Sequence, residues 1–116
     1  MLNQKNRLKN RVAFFATYKQ NHSVSDGLFV LYTGRLKENN EETKFGFVVS
    51  KKIHNRATKR NYIKRRLRES VRLLLKDGYN SKYLSLIFVA KSNSLNKSFL
   101  EIKNSVSALI SKAENS

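Results

Sequence analysis

The side chains able to move protons or hold a metal are few and scattered. His22 and His54 are the chain's only histidines, and Glu38, Glu41 and Glu42 form its one acidic cluster. Metal-free cleavage of a phosphodiester needs a positioned general acid and base, and metal-dependent cleavage needs converging carboxylates. His22 falls in a loop-like stretch and His54 beside a basic connection, where a lone histidine is more often a surface residue than a catalyst. The three glutamates crowd a polar, turn-prone segment, and Asp26, Glu69 and Asp77 share no motif. No catalytic residue and no metal site is assigned to this chain. What it does offer is cations. Residues 51–69, "KKIHNRATKRNYIKRRLRE", hold nine lysines and arginines in nineteen positions, with a single carboxylate at the far end.

On a helical wheel at about 100° per residue, this segment divides into sectors. Ile63, Leu67, Val71 and Leu74 make an apolar side. Arg60, Asn61, Lys64, Arg65, Arg68 and Arg72 make a neighbouring stripe, and Tyr62, Arg66 and Glu69 lie on the other flank. An ordinary solvated helix face mixes signs to gain pairing at i,i+4, whereas this stripe repels itself along its length. The charge therefore calls for a polyanion. Arginine's fork binds phosphate oxygens bidentately, Lys64 acts as a point charge, and Asn61 suits a base edge or a 2′-hydroxyl. Lys51 and Lys52, at the end of the preceding strand, and Arg56 in the connection extend the patch towards the helix N-terminus, where free N–H groups also favour phosphate. The rest of the chain leans the same way: 24 Lys+Arg against 8 Asp+Glu give a formal charge of +16, and nucleic acid is the partner such a balance indicates.

The elements that carry these residues follow from periodicity. Leu8, Val12, Phe15 and Ala16 predict a short amphipathic helix over 8–19, with Phe14 and Tyr18 together on a different face. The stretches 28–34 ("LFVLYTG") and 44–52 ("KFGFVVSKK") predict strands joined as a hairpin through a polar link. The basic helix runs over 58–76 and stops at Asp77-Gly78. A strand buried on both sides follows at 83–91, and Ser98 with Glu101 has capping-box spacing for a C-terminal helix carrying Phe99, Ile102, Val106, Leu109 and Ile110 on one face. A fourth strand fits around 23–25. The expected fold is α+β: a two-layer sandwich with a small mixed sheet of about four strands, an N-terminal helix, a basic crossover helix and a C-terminal helix.

The 116 residues fit one RNA-binding domain, 1–116, and with 7 Phe, 5 Tyr and 40% hydrophobic residues the composition is too apolar for a disordered basic tail. There is no cysteine, hence no disulfide framework. No apolar run reaches the roughly 18 residues of a membrane span, and "MLNQKNRLKN" lacks the apolar core of a signal peptide, so the expected location is the cytoplasm.

"SKKIHNRATKRNYIKRRLRES" resembles the signature of the bacterial ribonuclease P protein component: a strand ending in Lys-Lys, a short connection, an Arg-Asn-Arg motif, then Ile-Lys-Arg and a further Arg. The matching residues are Lys51, Lys52, Arg60, Asn61, Ile63, Lys64, Arg65 and Arg68. Tyr62 departs from the pattern, standing where the motif has its second arginine. "RLKNRVAFFATYK", "FVLYTG" and the element order extend the resemblance over most of the chain.

The resemblance implies an accessory subunit of a ribonucleoprotein endoribonuclease that removes the 5′ leader of precursor tRNA. The catalytic centre is then in the RNA subunit, magnesium is required by the RNA-containing holoenzyme, and no cofactor is assigned to the protein itself. Its partners are that catalytic RNA, bound through the Arg-Asn-Arg helix region, and precursor tRNA, whose leader lies in a cleft between the first helix and the sheet. Phe14, Tyr18 and Tyr32 match the aromatic cleft positions, although ordinary core aromatics would fit the same places. A left-handed crossover after the strand ending at Lys52 is also implied, against the right-handed form found in about 98% of βαβ units. The main alternative is a structural rRNA-binding protein of ribosomal type, which has no need of an aromatic single-strand groove. A helix-turn-helix module would want a packed helix before the basic one, and a membrane-surface helix sits poorly with buried strands.

Overall fold

The computed structural model describes residues 2–116. After a 3-10 turn at Gln4–Asn6, the elements are α1 (Arg11–Lys19), β1 (His22–Ser25), β2 (Phe29–Thr33), β3 (Lys44–Val48), α2 (Ala57–Lys76), β4 (Ser85–Ala90) and α3 (Phe99–Glu114). The strands form one sheet in the order β1-β2-β4-β3, with β3 and β4 parallel and the other pairs antiparallel. The basic helix α2 is the crossover that such a parallel pair requires. The α+β architecture is therefore as expected, with three helices and a mixed four-stranded sheet.

Strand alternation divides the sheet into two faces. Phe29, Leu31, Phe45, Leu86 and Phe88 face α2 and α3, where they meet Ile63, Leu67, Val71, Ile102, Val106 and Leu109 in the main core. Fully burying a large apolar side chain contributes about 1.5–3 kcal/mol. Like-charge repulsion at i,i+4 costs only a few tenths. Three buried residues, Ile63, Leu67 and Val71, thus hold α2 helical against its own charge. α2 ends where the sequence indicates, with Gly78 at φ +96° and the Tyr79 amide donating to the Leu74 carbonyl. α3 opens on the expected capping box between Ser98 and Glu101.

The hairpin expected between 28–34 and 44–52 is not formed. β4 lies between β2 and β3, because a strand apolar on both faces is better buried at the sheet centre than at an edge. The true hairpin is β1–β2, tightened by Asp26, whose Oδ1 accepts from the amides of Leu28 and Phe29 at 2.8 and 3.0 Å. The link from Gly34 to Thr43 crosses the start of β4 instead, with the Leu84 amide donating to Arg35 O and the Lys37 amide to Lys82 O.

β3 is shorter than expected. It is an edge strand whose ladder with β4 ends at Val48, so residues 51–53 form a turn and Lys51 and Lys52 stand exposed in it rather than in the strand. The outer edge of β3 is partly covered by the N-terminal segment: Arg7 bridges Phe45, and the Leu8 amide donates to Phe45 O at 2.9 Å. That protects an edge open to stray pairing.

Leu8 is therefore extended and outside α1, which begins only at the cap of Asn10, whose Oδ1 accepts from the Val12 amide at 2.8 Å. Without Leu8 the proposed stripe loses its anchor. Val12 and Phe15 are 73% and 65% exposed, and the helix instead turns Ala13, Phe14 and Thr17 to the sheet. The Ser85 hydroxyl bonds to Thr17 Oγ1, whose own proton goes to Ala13 O, and this pins α1 over β4.

Candidate nucleic-acid interface

The face of the sheet opposite the core carries Tyr32 on β2, Ile87 on β4 and Gly46 on β3, adjacent across the strands by register. α1 sets its aromatics on this row. The Phe14 ring lies so close to β3 that a Cβ on Gly46 would stand 2.7 Å from its Cε1 and Cζ, so glycine is required for the approach. Tyr18 stands edge-on to Tyr32, with ring centroids 4.9 Å apart. Burial, and then the neighbouring Tyr32, raise the Tyr18 pKa, so the phenol stays neutral and puts no negative charge in the path of a phosphate. The three aromatics singled out by sequence thus share one surface, and none belongs to the main core.

Around the edge of β3 this surface meets α2. Arg68 and Phe14 line one crevice of about 190 Å³ with Arg7, Lys9 and Phe47. Burial and then the like charge of Arg7 lower the Arg68 pKa, although it remains far too basic to lose its charge near neutrality. Arg7, whose Nε also donates to Leu2 O at 3.0 Å, and Arg68 line the crevice with no carboxylate among its other lining residues, which makes it a place for an anion. Arg7 and Lys9 were not singled out from sequence. Their signal was the basic run "RLKNR", whose extended conformation brings it beside α1.

The rest of the positive stripe is divided by what each side chain touches. Asn61 and Arg65 are exposed, and Lys64 is half-buried. Arg60 is already engaged, its Nη1 donating to the carbonyls of His54 and Asn55 at 2.9 Å each, so it shapes the β3–α2 connection as well as carrying charge. Arg56 is exposed at the N-cap of α2, and its amide donates to His54 Nδ1. Arg72 leaves the stripe, since it grips Glu69 at 2.6 Å. Arg65 turns to the opposite side from Arg68, towards α3, where it lines a groove with Tyr62. Arg66 lies over the Tyr62 ring with its guanidinium carbon 4.3 Å from the centroid. The odd residue of the motif is therefore part of the α2–α3 surface.

Glu41, Glu42 and His22 are engaged with their neighbours. Glu41 takes both nitrogens of Arg35, at 3.0 and 2.7 Å, and Glu42 pairs with Lys5 at 3.6 Å. His22 Nδ1 bonds to Thr33 Oγ1, and its ring stacks on Tyr83. Among the described residues no three His, Cys, Asp or Glu side chains converge as a metal ion would need. Among the described residues no helix is long and apolar enough to cross a membrane.

A basic helix and an aromatic sheet face joined at a cationic crevice define a nucleic-acid-binding α+β protein. The model of the family described as Ribonuclease P matches residues 2–114, and the chain belongs to that family. It is 40% identical over 113 residues to the ribonuclease P protein component of Clostridium kluyveri, covering 92% of this chain and 93% of that one. The corresponding protein of Clostridium novyi is 35% identical over 107 residues, covering 92% of each chain. The solved RNase P protein of Staphylococcus aureus superposes with a TM-score of 0.81 at 31% identity, covering 94% of this chain and 95% of that one. The RNase P protein of Thermotoga maritima, at 23% identity and a TM-score of 0.77, shares the fold over 91% of this chain and 96% of its own. This kinship favours ribonuclease P over the ribosomal-type alternative.

Proposed function

We propose that this chain is the protein subunit of a ribonuclease P, which binds the catalytic RNA through α2 and guides the 5′ leader of precursor tRNA across the α1 face of the sheet. The observation that carries this reading is the meeting of Arg68 and Phe14 in one crevice. A strand leaving the cationic helix passes directly onto the aromatic row. Phosphates are met by Arg68, Arg7 and Lys9, and unpaired bases by the rings of Phe14, Tyr18 and Tyr32. Stacking on such rings is tolerant of sequence, which suits a leader that differs from one tRNA to the next. Asn61, Lys64 and Arg65, with Lys51, Lys52 and Arg56 nearer the start of α2, supply the longer-range attraction to the catalytic RNA.

In this reading the protein contributes binding and orientation. Bond cleavage belongs to the RNA subunit, whose magnesium ions supply the activation of water and the stabilisation of the leaving oxygen. The protein's cations lower the repulsion between two polyanions, so the magnesium needed for their association falls.

Reconstitution tests the proposal. Precursor tRNA is incubated with the protein alone, with the catalytic RNA alone at low magnesium, and with both. Cleavage only in the third mixture is expected. Cleavage by the protein alone, or no stimulation of the RNA, would count against it.

A further inference from the structure

On the side of α2 away from the aromatic row, the first turns of α2 and the entry to α3 enclose a groove of about 610 Å³. This lies within the roughly 300–1,000 Å³ of sites that hold small organic molecules. Its floor is apolar, with Ile63, Leu95 and the Tyr62 ring, and its rim carries the cations Lys59, Arg65 and Lys97. Lys59 and Arg65 are exposed and form no ion pair among the described residues. The one carboxylate at the rim, Glu101, is already held. Its Oε1 accepts from the Ser98 amide and hydroxyl at 3.2 and 3.1 Å, and its Oε2 lies 3.8 Å from Lys97 Nζ. Because that capping box uses the free end of α3, the site rests on the ring and the cations and not on the helix terminus.

Tyr62 is braced for stacking. Arg66 sits over its ring with the guanidinium carbon 4.3 Å from the centroid, and Arg66 Nε is buried there with no hydrogen-bond partner among the described residues. Arg66 does not line the groove, whereas Tyr62 does. An incoming base would extend the order cation, ring, base. The arginine of the family motif would instead put another like charge beside Arg65 and Arg66. Tyr62 offers an aromatic platform flanked by cations, the combination that binds a single unpaired nucleotide.

We infer that the α2–α3 groove is a second nucleotide site, which takes one unpaired base of an RNA helix against Tyr62 while Lys59, Arg65 and Lys97 hold the phosphates on either side of it. The inference rests on the RNA-binding reading above and adds a contact on the opposite flank of α2. RNA bound along α2 is then held on both sides of the helix, by Arg68 towards α1 and by Arg65 towards α3.

The test compares two RNA hairpins of equal length, one fully paired and one with a single unpaired adenosine, by fluorescence anisotropy with the full chain at fixed salt. The bulged hairpin is expected to bind about tenfold tighter. Tyr62→Leu, which keeps an apolar side chain over the core, should abolish that preference without weakening the paired hairpin. Tyr62→Phe, which keeps the aromatic ring, should retain it. Equal binding of both hairpins by the unaltered protein overturns the inference and leaves RNA binding standing, as does a preference that survives Tyr62→Leu. Stronger binding of an acidic peptide of matched charge than of the bulged hairpin also overturns it. Binding of neither RNA overturns the RNA reading itself.

Discussion

The Tyr18 ring stands edge-on to Tyr32 at 87°, with centroids 4.9 Å apart, and so ties α1 to the second strand on the face of the sheet away from the main core. Edge-to-face pairs contribute about 0.5–1.5 kcal/mol beyond their buried area. That is small beside the core but large for two residues on a half-open surface, and it fixes the rings as a platform. The consequence is a substrate effect. Phe14→Ala combined with Tyr18→Ala should weaken binding of leader-bearing precursor tRNA by about tenfold or more. Mature tRNA, which lacks the leader, should bind nearly as before. Equal losses for both RNAs in a filter-binding assay would remove the cleft assignment.

Gly46 gives a test that leaves every aromatic in place. In Gly46→Ala the new methyl group would stand 2.7 Å from the far end of the Phe14 ring, and a half-buried ring can swing away. Stability should change by less than about 1 kcal/mol in urea denaturation. Leader affinity should still drop several-fold. Gly34→Ala is the contrasting case, since its Cβ would meet Ser85 Oγ at 2.1 Å and Ser85 O at 3.3 Å. The Ser85 hydroxyl is tied to Thr17 and its carbonyl to the Gly34 amide, so Ser85 cannot yield as a ring does, and a stability loss of about 1–3 kcal/mol is expected.

Along α2, salt dependence separates charge from structure. Lys64→Ala should flatten the slope of log K against log salt by somewhat less than one unit, as expected when one fewer phosphate is neutralised. Its melting temperature should stay unchanged. Arg60→Ala should flatten the slope and also destabilise the fold by about 1 kcal/mol, because two loop carbonyls lose their donor. A salt-independent affinity for RNA would sink the polyanion reading.

Asp26 links the β1–β2 turn to α3 and gives stability a pH dependence. Burial pushes its pKa up. The hydrogen bond from Ser105, those from the Phe29 and Leu28 amides and the charge of Lys91 outweigh burial and hold it below 3.8. A folded-state value below the unfolded one means that the stabilisation is complete above pH 3.8 and disappears as pH falls through the folded value. The group is partly solvated, so Asp26→Asn should cost about 1 kcal/mol near neutrality. The variant and the unaltered protein should converge in urea denaturation at pH values well below 3.8. A constant difference across pH would show that packing, not charge, is what Asp26 provides.

The sequence by itself determined the features whose cause is local. The 3.6-residue stripe of Ile63, Leu67 and Val71 made α2 a helix and named its buried side. The Ser98–Glu101 spacing set the start of α3, and Asp77-Gly78 set the end of α2. The sign of the charge identified the class of partner, because a stripe of arginines without acids repels itself in any fold. It also separated Phe14 and Tyr18 from the core.

Tertiary structure decided everything that depends on which surfaces meet. The expected stripe on the first helix looked apolar, but only the Thr17–Ser85 bond and the Gly46 approach choose the face that packs, and they leave Val12 and Phe15 outside. The strand order placed β4 between β2 and β3, since pairing energy is non-local and a link of polar residues reads the same whether it turns a hairpin or crosses a strand end. Arg65 and Arg68 look equivalent on a wheel, only three residues apart. In the fold they face different neighbours, α3 and α1, and the same charge therefore serves two surfaces.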